Sequence, residues 1–120
     1  MLSRALLLLC FLAPACGIPD DSPPPVKVEY PEGGPPLNEH FSFVVALQGQ
    51  AGVLVDVDAD MPAHGHGINT DPEFEKLEDG RYRVDGMLLH MPGAWELYFD
   101  VKEGDSESRR IVVPLELEHK

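Results

Sequence analysis

From Phe41 onward the apolar residues of this chain fall at every second position, a period of two that leaves few folds open to it. Phe41, Phe43, Val45 and Leu47 alternate with Ser42, Val44, Ala46 and Gln48, and Val53, Val55 and Val57 alternate with Leu54, Asp56 and Asp58. Further along, Tyr82 and Val84 interleave with Arg81, Arg83 and Asp85, and Trp95, Leu97, Phe99 and Val101 interleave with Ala94, Glu96, Tyr98, Asp100 and Lys102. A last run, residues 111–117, keeps the same beat with Pro114 between its inward positions. Turn signals separate the runs: Gln48-Gly49-Gln50, Glu78-Asp79-Gly80, Pro92-Gly93 and Glu103-Gly104-Asp105. No stretch carries the 3.6 period of an amphipathic helix of useful length. Because alternate side chains leave opposite faces of a strand, each run has one face to bury, and two sheets must cover each other. The pattern predicts an all-β protein, an antiparallel β-sandwich of about seven strands. Trp95, Phe43 and Phe99 are expected to anchor its core, each contributing about 1.5–3 kcal/mol or more by burial.

The first residues belong to a different kind of segment. Residues 1–4 carry one positive charge, residues 5–12 are apolar, and Ala13-Pro14-Ala15 is an exit of small residues. That is the pattern of a secretory signal peptide over residues 1–15, with an apolar run too short to span a bilayer as a helix. Cys16 follows at once and resembles the acylated cysteine of a bacterial lipobox, although Ala13 stands where Leu is usual. An ordinary signal peptidase would also accept Ala-x-Ala and release a soluble protein. The lone cysteine at this position favours lipid attachment at Cys16, which predicts an exported protein of the bacterial cell envelope, anchored in the membrane and facing the periplasm. Residues 16–38 read as a tether rich in Pro and Gly, with a short strand at residues 26–30, and residues 39–118 as the sandwich. The chain has two cysteines, Cys10 and Cys16, so no disulfide can form inside the domain. A net charge of −12 argues against nucleic acid as a partner, because a polyanion would be repelled.

Two segments stand out chemically. Met61-Pro62-Ala63-His64-Gly65-His66-Gly67 and His90-Met91-Pro92-Gly93 hold three of the five histidines and two of the four methionines. Imidazole serves either oxidation state of copper, and a thioether is soft enough for Cu(I), so the pairing suits copper. His64, His66 and His90 are the candidate nitrogen ligands, with Met61 or Met91 as a soft addition. The first segment is expected to form a loop over residues 61–69, turned by Gly65 and Gly67, with His64 and His66 on one side if locally extended. The second is expected to close a hairpin between the strand through Val84 and the strand through Trp95. The site exists only if both lie at the same end of the sandwich.

These motifs carry a resemblance. Residues 60–67, Asp79-Gly80-Arg81-Tyr82-Arg83-Val84 and residues 87–97 resemble the YtkA-like domain family, related to FixH-type proteins, over residues 40–117. The resemblance implies an immunoglobulin-like sandwich in a small exported or membrane-anchored protein, accessory to copper traffic or respiratory oxidase assembly. It implies as partner a copper-accepting or copper-donating envelope protein. The family's MPxHGHGM form ends in Met, whereas this chain has Ile68, which removes one soft ligand.

Each signal has a plainer rival. The His-Gly-His loop could be a structural turn whose imidazoles bond carbonyls, and methionine is also an adaptable core filler. Zinc is the alternative metal, and a metal-free protein-interaction or assembly module of the envelope is the alternative function. Asp56, Asp58 and Asp60 invite calcium, but the calcium loop would need Gly where Met61 stands and Glu where Gly67 stands. Catalysis lacks its usual marks, for there is no Gly-x-Ser-x-Gly elbow, phosphate loop or His-Glu-x-x-His helix, and the chain is not expected to be an enzyme.

Overall fold

A computed structural model describes residues 25–48 and 52–118, so the leader and Cys16 lie outside the described residues. Eight strands follow one another: β1 (Val26–Glu29), β2 (Phe41–Leu47), β3 (Val53–Met61), β4 (His66–Gly67), β5 (Glu73–Lys76), β6 (Arg81–Met87), β7 (Gly93–Lys102) and β8 (Arg109–Leu117). They form two antiparallel sheets of four strands, ordered β1-β2-β6-β5 and β4-β3-β7-β8. The alternating runs supply the two inner faces, and the sheets close on each other as a sandwich. Phe43 of one sheet meets Phe99 of the other edge-on at 6.2 Å between ring centroids, and the Tyr82 hydroxyl accepts the Leu54 N–H across the layers. Trp95, Phe43 and Phe99 are buried at the centre, as the alternation predicts.

In β3 the alternation breaks once. Leu54 pairs with Val101 and Asp56 with Asp100, which leaves Val55 as an extra residue and makes a β-bulge. The bulge shifts the phase of the strand. Leu54 is buried while Val53 and Val55 are exposed, and beyond the bulge Val57, Ala59 and Met61 point inward. The expected single row of Val53, Val55 and Val57 is therefore split, because a strand that gains one residue against its partner must exchange its faces. A second bulge, in β6, sets Met87 opposite Phe41 and Val84 opposite Phe43, and buries Met87 and then Leu89.

The fold begins earlier than residue 39. β1 pairs along β2, Val26 is buried, Tyr30 packs on Phe43, and the Asn38 N–H donates to the Leu89 carbonyl at 2.8 Å. Residues 25–38 are thus bonded to the sandwich and not part of a tether; proline supplies their turns, and the apolar Val26, Val28, Tyr30 and Leu37 supply the attachment. Strand β5 was not legible, since only Phe74 among Glu73, Phe74, Glu75 and Lys76 marks an inward position.

The outer face of the second sheet holds a charged network around Tyr98. The Arg110 guanidinium lies 4.5 Å from the centroid of the Tyr98 ring and bonds Asp100, while the Tyr98 hydroxyl donates to Glu96 at 2.7 Å. The bond to Glu96, then burial and the charges of Glu96 and Asp60, push the Tyr98 phenol up to about 12 from its ordinary 10.0. Folding therefore favours the protonated phenol. That preference is fully present below pH 10 and is lost as pH rises towards 12. Alkaline ultraviolet titration is expected to show a phenolate transition near pH 12 that is missing in Tyr98→Phe and lowered in Glu96→Gln. A transition that persisted in Tyr98→Phe would assign the shift to another tyrosine.

Candidate metal centre

The segment between β6 and β7 is not a hairpin. β6 lies in one sheet and β7 in the other, so residues 88–92 cross the end of the sandwich from layer to layer. Leu89 faces inward and is fully buried between the layers, which carries the chain over the open end instead of letting it turn back beside β6. His90 rides on this crossing. Its neighbour Met91 is held by its backbone, whose carbonyl accepts the indole N–H of Trp95 at 2.9 Å, and the Met91 side chain packs half-buried against the core.

The other segment arrives at the same end. β3 finishes at Met61, one 3-10 turn covers Pro62–His64, Gly65 adopts a left-handed conformation, and β4 pairs back so that His66 faces Met61 and Gly67 faces Asp60. The Gly65 N–H donates to the Met61 carbonyl at 3.1 Å and closes the turn. The loop expected over residues 61–69 is thus a 3-10 turn followed by a short strand, and His64 sits on the helical turn rather than in an extended stretch. A side chain at Gly93 would meet the Met61 terminal methyl at 2.9 Å, so this glycine is what lets the methionine fill the end of the core.

Directly paired residues of antiparallel strands carry their side chains on one face, with Cβ atoms about 4.5–5.5 Å apart. Met61 and His66 are such a pair, so strand register sets their side chains next to each other on one face, with Met61 buried. The crossing segment brings His90 to the same place. The His66 and His90 rings lie 5.1 Å apart between centroids and tilted by 36°, and both meet Trp95 edge-on, at 6.0 and 5.6 Å. His64 lies 5.9 Å from His66 and is exposed. A metal bonded at about 2 Å to one nitrogen of each of two imidazoles separates their centroids by about 5–6 Å. Both distances fall in that window.

The hydrogen bonds of the rings sharpen the site. His66 Nδ1 lies 3.1 Å from the Gly67 carbonyl oxygen, and a carbonyl can only accept, so Nδ1 is the donor and, in the neutral ring, Nε2 holds the lone pair. A carbonyl that fixes the tautomer of a metal-binding imidazole is a recurrent arrangement. His66 Nε2 and His90 Nδ1 are both buried without a hydrogen-bond partner. Buried polar atoms are rarely left so, and two neighbouring imidazole nitrogens in that condition fit a ligand set.

The expected three-nitrogen site is not preformed. Among the described residues no three His, Cys, Asp or Glu side chains form a group able to hold a metal ion. His66 is instead the member common to two close pairs, His66 with His90 inside and His66 with His64 outside. Of the two methionines, Met61 is set beside His66 by strand register, while Met91 is bound into the fold by its carbonyl and its packing. Trp95, read from sequence as a core anchor, is also the wall against which both inner imidazoles rest. The short interval from His90 to Trp95 was the signal for that second role. Compared with protein-family models, curated proteins and solved structures, the chain gives no match.

Proposed function

We propose that this protein binds copper as Cu(I) at the end of its sandwich, through His66 Nε2, His90 Nδ1 and the thioether of Met61, and exchanges it with a partner of the bacterial envelope. The observation that supports this most directly is the pair of buried, unpartnered imidazole nitrogens on rings 5.1 Å apart. The donor set is electrically neutral. Charging a site shielded from water costs more for a dication than for a monocation, because the solvation penalty grows with the square of the charge. Zinc, the second reading, asks for four ligands in a tetrahedron, whereas two imidazoles and a soft thioether suit the lower coordination of Cu(I). Membership of the YtkA-like family, with its immunoglobulin-like sandwich, is part of the same proposal and rests on the motif residues quoted above. So do export, lipid attachment at Cys16 and a partner in oxidase assembly, which rest on the leader pattern and on that resemblance.

Anaerobic competition of the purified protein with a chromophoric cuprous chelator tests the reading. One equivalent of Cu(I) is expected to bind, and His66→Ala and His90→Ala are each expected to weaken binding by at least about tenfold. Unchanged affinity in both variants would leave the end of the sandwich as a protein-contact surface instead.

A further inference from the structure

Given that His66 and His90 bind Cu(I), we infer that His64 is the transfer ligand, the group through which the metal enters and leaves, and not a ligand of the resting site. The three imidazoles form a series from solvent to interior. His64 is exposed on a 3-10 turn that has no buried residue, His66 and His90 are half-buried, and Trp95 closes the inner side. Adjacent members are spaced alike, 5.9 Å with a tilt of 35° and 5.1 Å with a tilt of 36°. Each separation is one that a single ion, bonded at about 2 Å to a nitrogen of both rings, would span.

His66 belongs to both pairs, and its chemistry makes it the fixed point. Nδ1 is engaged with the Gly67 carbonyl, so only Nε2 is free to ligate, and it holds one ion at a time. Transfer is then ligand exchange on a Cu(I) that keeps its Nε2 bond to His66. The bond to His64 forms, the bonds to His90 and to the Met61 thioether break, and the copper remains Cu(I) with no electron or proton moved. The turn that carries His64 is pinned by the Met61–His66 pairing and by the bond from Gly65 to Met61, which keeps His64 next to His66. An exposed imidazole is also the group that a donor or acceptor protein, or a small chelator, reaches first.

The test separates rate from affinity. Stopped-flow exchange of Cu(I) between the purified protein and a cuprous chelator is compared for wild type, His64→Ala, His64→Met and His90→Ala, with equilibrium competition on each. His64→Ala is expected to keep the wild-type equilibrium affinity while loading and unloading both slow by about tenfold, since a ligand present only in the exchange transition state alters both directions equally. His64→Met, which restores a soft ligand at the same place, is expected to recover the rates. The inference is overturned if His64→Ala weakens equilibrium binding as much as His90→Ala, which makes His64 a resting ligand, or if it leaves both rates unchanged, which makes it a bystander. Failure of the wild-type protein to bind Cu(I) overturns the copper reading itself and this inference with it.

Discussion

Trp95→Ala is expected to remove most of the stability of the domain. Trp95 is the largest of the fully buried side chains, and truncating a buried tryptophan costs about 3–5 kcal/mol. The indole N–H is also the donor to the Met91 carbonyl, so the variant leaves a carbonyl without its partner at the point where the chain crosses between sheets, a further cost of about 1–3 kcal/mol. Domains of this size are stable by about 5–15 kcal/mol in total, and no disulfide within the described residues offsets the loss. Trp95→Phe keeps an aromatic ring against His66 and His90 and leaves the same carbonyl without its partner, so a milder loss is expected, about 1–3 kcal/mol from that bond. Urea denaturation followed by far-ultraviolet circular dichroism measures both, because Trp95 is the one tryptophan and its fluorescence disappears with it. A midpoint for Trp95→Ala close to that of the wild type would contradict the packing described.

The second large effect divides the two roles of Met61. Its side chain is fully buried and its terminal methyl occupies the space left by Gly93, so Met61→Ala is expected to cost about 2–5 kcal/mol. Met61→Leu nearly conserves volume and is expected to cost less than about 1.5 kcal/mol. Leucine has no lone pair to give. If the thioether beside His66 is a ligand, Met61→Leu loses Cu(I) affinity by about tenfold while remaining folded, whereas Met61→Ala loses both. Wild-type affinity in Met61→Leu would confine Met61 to the core and leave a site of two imidazoles. Measuring stability and metal affinity on the same two variants keeps a folding defect from passing as a lost ligand.

Much of the sandwich was legible because its strands are half-buried, and a half-buried strand writes its inner face into alternate positions. Phe43, Trp95 and Phe99 are in the core for that reason. The rule failed where pairing is uneven. Nothing in Val53, Leu54 and Val55 announces that β3 carries one residue more than β7 there, since all three are apolar and bulges are set by the partner strand. It failed also at β5, whose four residues contain a single apolar one, and at residues 25–38, where proline suggested a free segment although four apolar side chains fasten it to the sandwich.

The candidate site divides along the same line. Composition alone picks out His64, His66, His90, Met61 and Met91, because rare side chains of matching chemistry cluster in two short segments. It cannot rank them. Exposure of His64, the tautomer of His66, the pairing of Met61 with His66 and the capture of Met91 by Trp95 all depend on strand register and on the route from β6 to β7.

The class of fold, the identity of its aromatic anchors and the inventory of metal-ligating side chains follow from local periodicity and residue chemistry. Which of those side chains meet depends on how the two sheets pack. Two segments two dozen residues apart share one end because Leu89 must be buried and so carries the chain from one sheet to the other, a demand set by the space left between the layers and not by any neighbour in the chain.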